Sequence, residues 1–248
     1  MAIRVNPKLI DELEHFGSED VQNCYHCGNC SAVCPHTDDL FVFPRKPMRY
    51  LQMGLEKKLE RSLTPWLCYY CGQCSAQCPR EAEPGETMMS MRRWLISRYD
   101  FTGIARRFYM SWKAELIFVV IVALLTGVGL STYGFLNGNI NVYDGPDAFL
   151  PSSMIHTIDL VLMAILSILL AINVVRMWHF IMQDAVKAPR PWWLYLKKIY
   201  LLPLHFFTQK RYAQCDPENR NRVHVPWLTH LGIVFGYFAM LVLIVFFL

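Results

Sequence analysis

The chain has 248 residues, 54% of them apolar and 18% charged, with a formal net charge of +4. That charged share lies well below the roughly 25% of soluble domains, and the composition argues for two unlike halves. Residues 1–91 nevertheless hold nine Lys/Arg and twelve Asp/Glu, an ordinary soluble composition, and the apolar excess lies downstream.

The first thirty residues carry charges throughout and have no apolar stretch of the kind a signal peptide needs. The N-terminal half is therefore expected in the reducing cytoplasm, where nine cysteines are better read as metal ligands than as disulfides. Eight of them fall in two runs. Cys24, Cys27, Cys30 and Cys34 read C-Y-H-C-G-N-C-S-A-V-C-P, and Cys68, Cys71, Cys74 and Cys78 read C-Y-Y-C-G-Q-C-S-A-Q-C-P. Both have the C-x2-C-x2-C-x3-C-P spacing of two-cluster bacterial ferredoxins, and their shared Tyr, Gly and Ser-Ala make the segment an internal repeat. Three thiolates two residues apart can wrap one cubane from a single loop, while the Cys before proline reaches the neighbouring one. By that rule Cys24, Cys27, Cys30 and Cys78 hold one [4Fe–4S] cluster, and Cys68, Cys71, Cys74 and Cys34 hold the other. The competing reading is a pair of zinc sites. Zinc takes its thiolates as two separated pairs, which four cysteines in eleven residues do not offer. Gly28 and Gly72 are expected to relieve crowding beside the sulfurs. His26 and His36 are expected as exposed loop residues that tune potential slightly or do nothing.

Between the runs, Lys46–Arg61 reads as one helix, with prolines 44 and 47 at its start and Pro65 beyond its end. Strand-like alternation is absent. Downstream, spans are expected at about 114–136, 154–182 and 226–248, each long enough for the ~20 apolar residues a bilayer demands. Residues 92–113 carry six Lys/Arg and one acid, and 183–225 carry eight and three, while 137–153 has two Asp and no Lys or Arg. The positive-inside rule puts the N-terminal domain and the 183–225 loop on the cytoplasmic side. Residues 189–207 mix Trp, Tyr, Lys and aliphatics and are expected along that interface, in contact with lipid headgroups.

Ionisable groups at membrane depth are functional candidates. His179 and His230 fall at similar depth near the inner ends of their spans and form a natural pair of axial ligands for a b-type haem. Arg176, one helical turn from His179, can meet a haem propionate. His156 lies 23 positions from His179, about 34 Å along a helix, and cannot share its iron. It serves either a second, outer haem with a further partner, or, with Asp159, a proton relay at an outer quinone site. For any one of these histidines alone the ordinary role is an interfacial side chain bonded to headgroups or carbonyls. Cys215 stands alone in the basic loop and is expected to be inert. His205 and His224 are expected at the surface, with a quinone headgroup as the alternative.

The segments R-V-N-P, F-P-R-K-P-M and P-G-E-T, together with both cysteine runs, resemble the C subunit of heterodisulfide reductase over residues 3–100. The linker without strands is similar to the α-helical ferredoxin of that protein and of succinate dehydrogenase iron–sulfur subunits. Fusion to a membrane part resembles, more specifically, the C subunit of quinone-interacting membrane-bound oxidoreductase complexes, although haem domains of that type have more than three spans. The resemblance implies a mainly α protein: a two-cluster ferredoxin domain over 1–105 and a haem b and quinone domain over 106–248. It further implies electron transfer between menaquinone and cytoplasmic flavin/iron–sulfur subunits, linked to adenylyl-sulfate reductase in dissimilatory sulfur metabolism. No nucleotide fold, flavin motif or catalytic nucleophile is present, so no catalytic residue is assigned, and nucleic acid is not an expected partner. Two other readings compete: the iron–sulfur arm of a fumarate- or heterodisulfide-reductase-type complex, and a non-redox membrane anchor with structural metals.

Overall fold

The computed structural model describes residues 4–38, 42–137, 152–185, 191–215 and 225–247. His224, most of the 137–153 loop and parts of the 183–225 loop lie outside them. Among the described residues there are helices and turns and no strand. The chain divides into two compact units, one comprising Met1–Leu95 with His179–Leu248 and the other Ile96–Trp178.

Within the first unit the cysteine runs are wrapped by short helices: α1 (Leu9–Glu14), α2 (Asn29–Val33), α3 (Arg45–Gln52), α4 (Glu56–Glu60) and α5 (Gln73–Ala76). α6 follows as Pro84–Tyr99, opening on a proline whose missing N–H costs nothing at a first helical position. Leu9, Leu13, Val21, Leu51, Leu59, Met88, Met91, Trp94 and Leu95 are fully buried. Each such side chain contributes about 1.5–3 kcal/mol on leaving water. These residues form a small core.

The single helix expected over 46–61 is two helices. The break falls at Gly54, whose φ is +62°, with a backbone bond from the Asn6 amide to the Gly54 carbonyl at 2.8 Å. A Cβ there would run into the Asn6 carbonyl. Helical periodicity continues across the site, but the N-terminal segment docks on the backbone and only glycine accommodates it.

The second unit holds a capped turn, α7 (Ile104–Met110), α8 (Trp112–Asn137) and most of α9 (Ser152–Ala185). The Asp100 carboxylate accepts from the Thr102 and Ala105 amides, each at 2.9 Å, and from the Thr102 hydroxyl. Burial alone would raise the Asp100 pKa; the hydroxyl of Thr102 and the amides of Ala105, Thr102 and Ile104 outweigh it and hold it low. Phe108 of α7 packs against Phe118 of α8, centroids 5.2 Å apart.

Among the described residues, three helices are long and apolar enough to cross a membrane, over Trp112–Tyr133, Ser153–Gln183 and, in α12 (Val225–Phe247), Trp227–Val245. Their apolar side chains are largely exposed, Leu125 by 68% and Leu170 by 64%, as lipid-facing surfaces require. Their hydroxyls bond inward: Thr126 to the Val122 carbonyl, Ser131 to that of Gly127 and Thr132 to that of Val128, at 2.7–2.8 Å. Such back-bonding removes the polar groups from hydrocarbon. Between the second and third of these helices, α10 (Trp193–Lys198) and α11 (Leu201–Thr208) occupy the stretch expected along the interface, with Trp192 and Leu202 each 73% exposed.

Candidate iron–sulfur site

The two cysteine runs fold as copies of one another. Each follows a 3-10 turn, Val21–Asn23 before Cys24 and Thr64–Leu67 before Cys68. Each then places a left-handed residue two positions after its first cysteine, His26 at φ +65° and Tyr70 at +56°. Left-handed Gly28 and Gly72 start α2 and α5, which pack on each other. Nothing lies within 4 Å of a Cβ built on Gly72. Crowding does not explain that glycine; its φ of +78° does.

One long polar side chain anchors each copy. Gln52, at the end of α3, donates to the Val21 carbonyl at 3.0 Å and to the Cys24 carbonyl at 2.7 Å, and its own oxygen meets His26 Nε2. His26 is therefore not the exposed loop residue expected. It is half-buried, and its Nδ1 is buried without a hydrogen-bond partner among the described residues. Arg92, on α6, donates to the carbonyls of Pro65 (2.8 Å), Trp66 (2.9 Å) and Cys68. Neither anchor is visible in the sequence, because each acts across 24 to 31 positions.

The thiols form two neighbourhoods. The Cys24 pKa is raised by burial first and then by the nearby Cys78 and Cys27. Cys30 is pushed up to about 11 by burial, with Cys24 and Cys27 adding to it. On the other side, burial pushes Cys68 up to about 12 against the opposing Arg92 guanidinium, with Cys71 and Cys34 adding. Cys74 reaches about 12 through burial and the proximity of Cys68, Cys71, Cys30 and Cys34. Cys34, Cys68, Cys71 and Cys74 line one cavity. Among the described residues no three His, Cys, Asp or Glu groups converge for a single metal ion.

The same cavity is lined by His36 and Cys215. Cys215, expected to be inert in the basic loop, is only 6% exposed and sits 3.1 Å from His36 Nε2. His36 is half-buried rather than exposed, and packs on Tyr69 with ring centroids 5.0 Å apart. No local pattern signals either placement.

Residues 20–82 match the family model described as a 4Fe-4S dicluster domain. The N-terminal part of this chain is an iron–sulfur dicluster domain. Over 99 residues the chain is 31% identical to a protein of Archaeoglobus profundus that is named for its likeness to the C subunit of heterodisulfide reductase, across 40% of this chain and 53% of that relative. The chain thus spans about half the length of the curated relative it matches. No solved structure matches significantly. The donor chemistry of the dicluster domain fits [4Fe–4S] groups: eight thiols in two sets, several of them half-buried or buried. Backbone amides meet the sulfurs, that of Tyr70 at 3.3 Å from Cys68 Sγ and that of Ala82 at 3.4 Å from Cys78 Sγ.

Of the residues expected to serve haem or quinone, Arg176 donates from Nε to the Tyr99 carbonyl at 2.7 Å, which satisfies part of its charge at depth. His230, exposed near the start of α12, has its ring 5.2 Å from that of Tyr212. His179 is exposed near the end of α9, while near its beginning His156 is half-buried and Asp159 exposed. His205 lies within α11 and is exposed.

Proposed function

We propose that the chain is a membrane electron-transfer subunit whose dicluster domain exchanges electrons, one at a time, between a membrane quinone and soluble redox subunits. The carrying observation is the grouping of the eight thiols, Cys78 beside Cys24 and Cys34 beside Cys71, in a chain with three helices apolar enough to cross a membrane. In this reading Cys24, Cys27, Cys30 and Cys78 hold the first [4Fe–4S] cluster and Cys34, Cys68, Cys71 and Cys74 the second. Each cluster, when bound, supplies reversible one-electron chemistry. Gln52 and Arg92 hold the loops that present the sulfurs, and burial of Cys68 excludes water from the second set.

The finer reading is the C subunit of a quinone-interacting membrane-bound oxidoreductase complex. His179 and His230 would be axial ligands of a haem b, Arg176 would compensate a propionate, and His156 would serve an outer haem or quinone site. Menaquinone, cytoplasmic flavin/iron–sulfur subunits and a link to adenylyl-sulfate reductase complete it. The basic segments 92–113 and 183–225 support placing the dicluster domain in the cytoplasm. The similarity to the Archaeoglobus profundus relative favours a second reading, a heterodisulfide-reductase-type complex with different soluble partners.

Spectra of the anaerobically purified, dithionite-reduced chain in detergent test both layers. Reducible cluster signals together with a split haem α-band are expected, and His179→Ala should remove the haem band while sparing the clusters. Cluster signals without any haem band would remove the haem assignment; colourless, zinc-containing protein would remove the electron-transfer role.

A further inference from the structure

Cys215 is the ninth cysteine and belongs to neither run. It ends the 3-10 turn Tyr212–Cys215, which follows α11, and is only 6% exposed. Its position 179 residues from His36 is a purely tertiary placement. The cavity it lines is the one walled by Cys34, Cys68, Cys71 and Cys74, so its thiol faces the same space as the sulfurs of that set. A cubane takes four cysteine thiolates, and the second run with Cys34 already supplies them. Cys215 is thus a fifth sulfur at a four-ligand site.

Its hydrogen-bonding capacity decides its role. A thiol has one proton to donate and a sulfur that accepts weakly. His36 Nε2 lies 3.1 Å from Cys215 Sγ, whereas the Arg211 carbonyl is at 4.0 Å. With the imidazole proton on Nε2, His36 donates to Cys215 and leaves the Cys215 S–H free for Cys71. The imidazole is held in turn by Tyr69, and Tyr69 by Tyr212 at 5.8 Å. In the first copy the nearby imidazole is that of His26, whose Nε2 is taken by Gln52.

We propose that Cys215 is a positioning residue of the second cluster: its thiol, oriented by His36, donates a hydrogen bond to the Cys71 sulfur and raises that cluster's reduction potential. The inference rests on Cys34, Cys68, Cys71 and Cys74 being the second cluster's ligands. Its physical basis is that reduction adds negative charge to the cluster, so a donor to a ligand sulfur stabilises the reduced state more than the oxidised one.

The test is a redox titration of the intact chain, both clusters assembled, followed by EPR, in wild type, Cys215→Val and Cys215→Ser. Valine fills the space and excludes water but donates nothing; serine keeps a donor. Cys215→Val is expected to shift the second cluster's reduction equilibrium about tenfold toward the oxidised form, equivalent to 59 mV for one electron. The first cluster, assigned through Cys27→Ser, is expected to be unmoved, and Cys215→Ser to stay near wild type. An unchanged second potential in Cys215→Val, equal shifts in Val and Ser, or a parallel shift in both clusters would each overturn the inference. If Cys215→Val does not retain the cluster, His36→Phe releases the thiol's orientation instead; a fall in the second potential supports the inference and no change overturns it. Wild-type protein that assembles only one cluster would overturn the ligand reading beneath it, a result separable from all of these.

Discussion

Arg92→Met should strip the second cluster and leave the first. The Arg92 guanidinium bonds three carbonyls of one turn, those of Pro65, Trp66 and Cys68, and lies 5.7 Å over the Trp66 ring. Hydrogen bonds to a charged donor are worth about 1.5–3 kcal/mol each, but this side chain is half-buried and water would replace part of what is lost. Taking roughly half the gross value gives about 3 kcal/mol, or roughly a 150-fold loss of order in the turn that delivers Cys68. Methionine keeps the packing volume and removes every donor. The assay is iron and acid-labile sulfide per chain, with EPR, across increasing urea in detergent. Iron should fall from about eight toward about four at urea concentrations where wild type keeps both clusters. Parallel loss of the two clusters, or a variant as stable as wild type, would refute the idea that Arg92 acts locally on the second loop.

Gly54→Ala forces a Cβ toward the Asn6 carbonyl at a φ of +62°, so it should cost about 1–3 kcal/mol, seen as a lowered midpoint of thermal loss of helicity. Asp100→Asn should weaken the turn into α7 by about 1 kcal/mol. The wild-type contribution is present above the unfolded carboxylate pKa of about 3.9 and is lost as pH falls through the lower folded value; the variant should lack that acid-side step in stability. Cys78→Ser should abolish the EPR signature of the first cluster and Cys34→Ser that of the second, and the reverse pattern would dismantle the exchanged ligand scheme.

The cysteine runs are legible in the sequence because ligand spacing is local: three thiols reach one centre only at short, fixed offsets. The three long helices are equally plain, since a bilayer-length apolar run has few other uses. α8, α9 and α12 begin and end within about three residues of the expected spans. The helix break at Gly54 is not legible, because the pattern on either side is helical and the cause is the distant Asn6. The anchors Gln52 and Arg92 look like any surface-capable polar residues on their helices, and only the fold reveals which carbonyls they meet. Cys215 escapes notice for the same reason: a cysteine outside a motif carries no spacing to read, and its neighbours come from the other end of the chain.

Metal, sulfide and EPR analysis of the anaerobically purified full chain decides whether it carries two [4Fe–4S] clusters for electron transfer. About eight irons and eight sulfides per chain are expected, with reducible signals from two magnetically interacting clusters. Zinc in place of iron, with no acid-labile sulfide, would contradict that expectation.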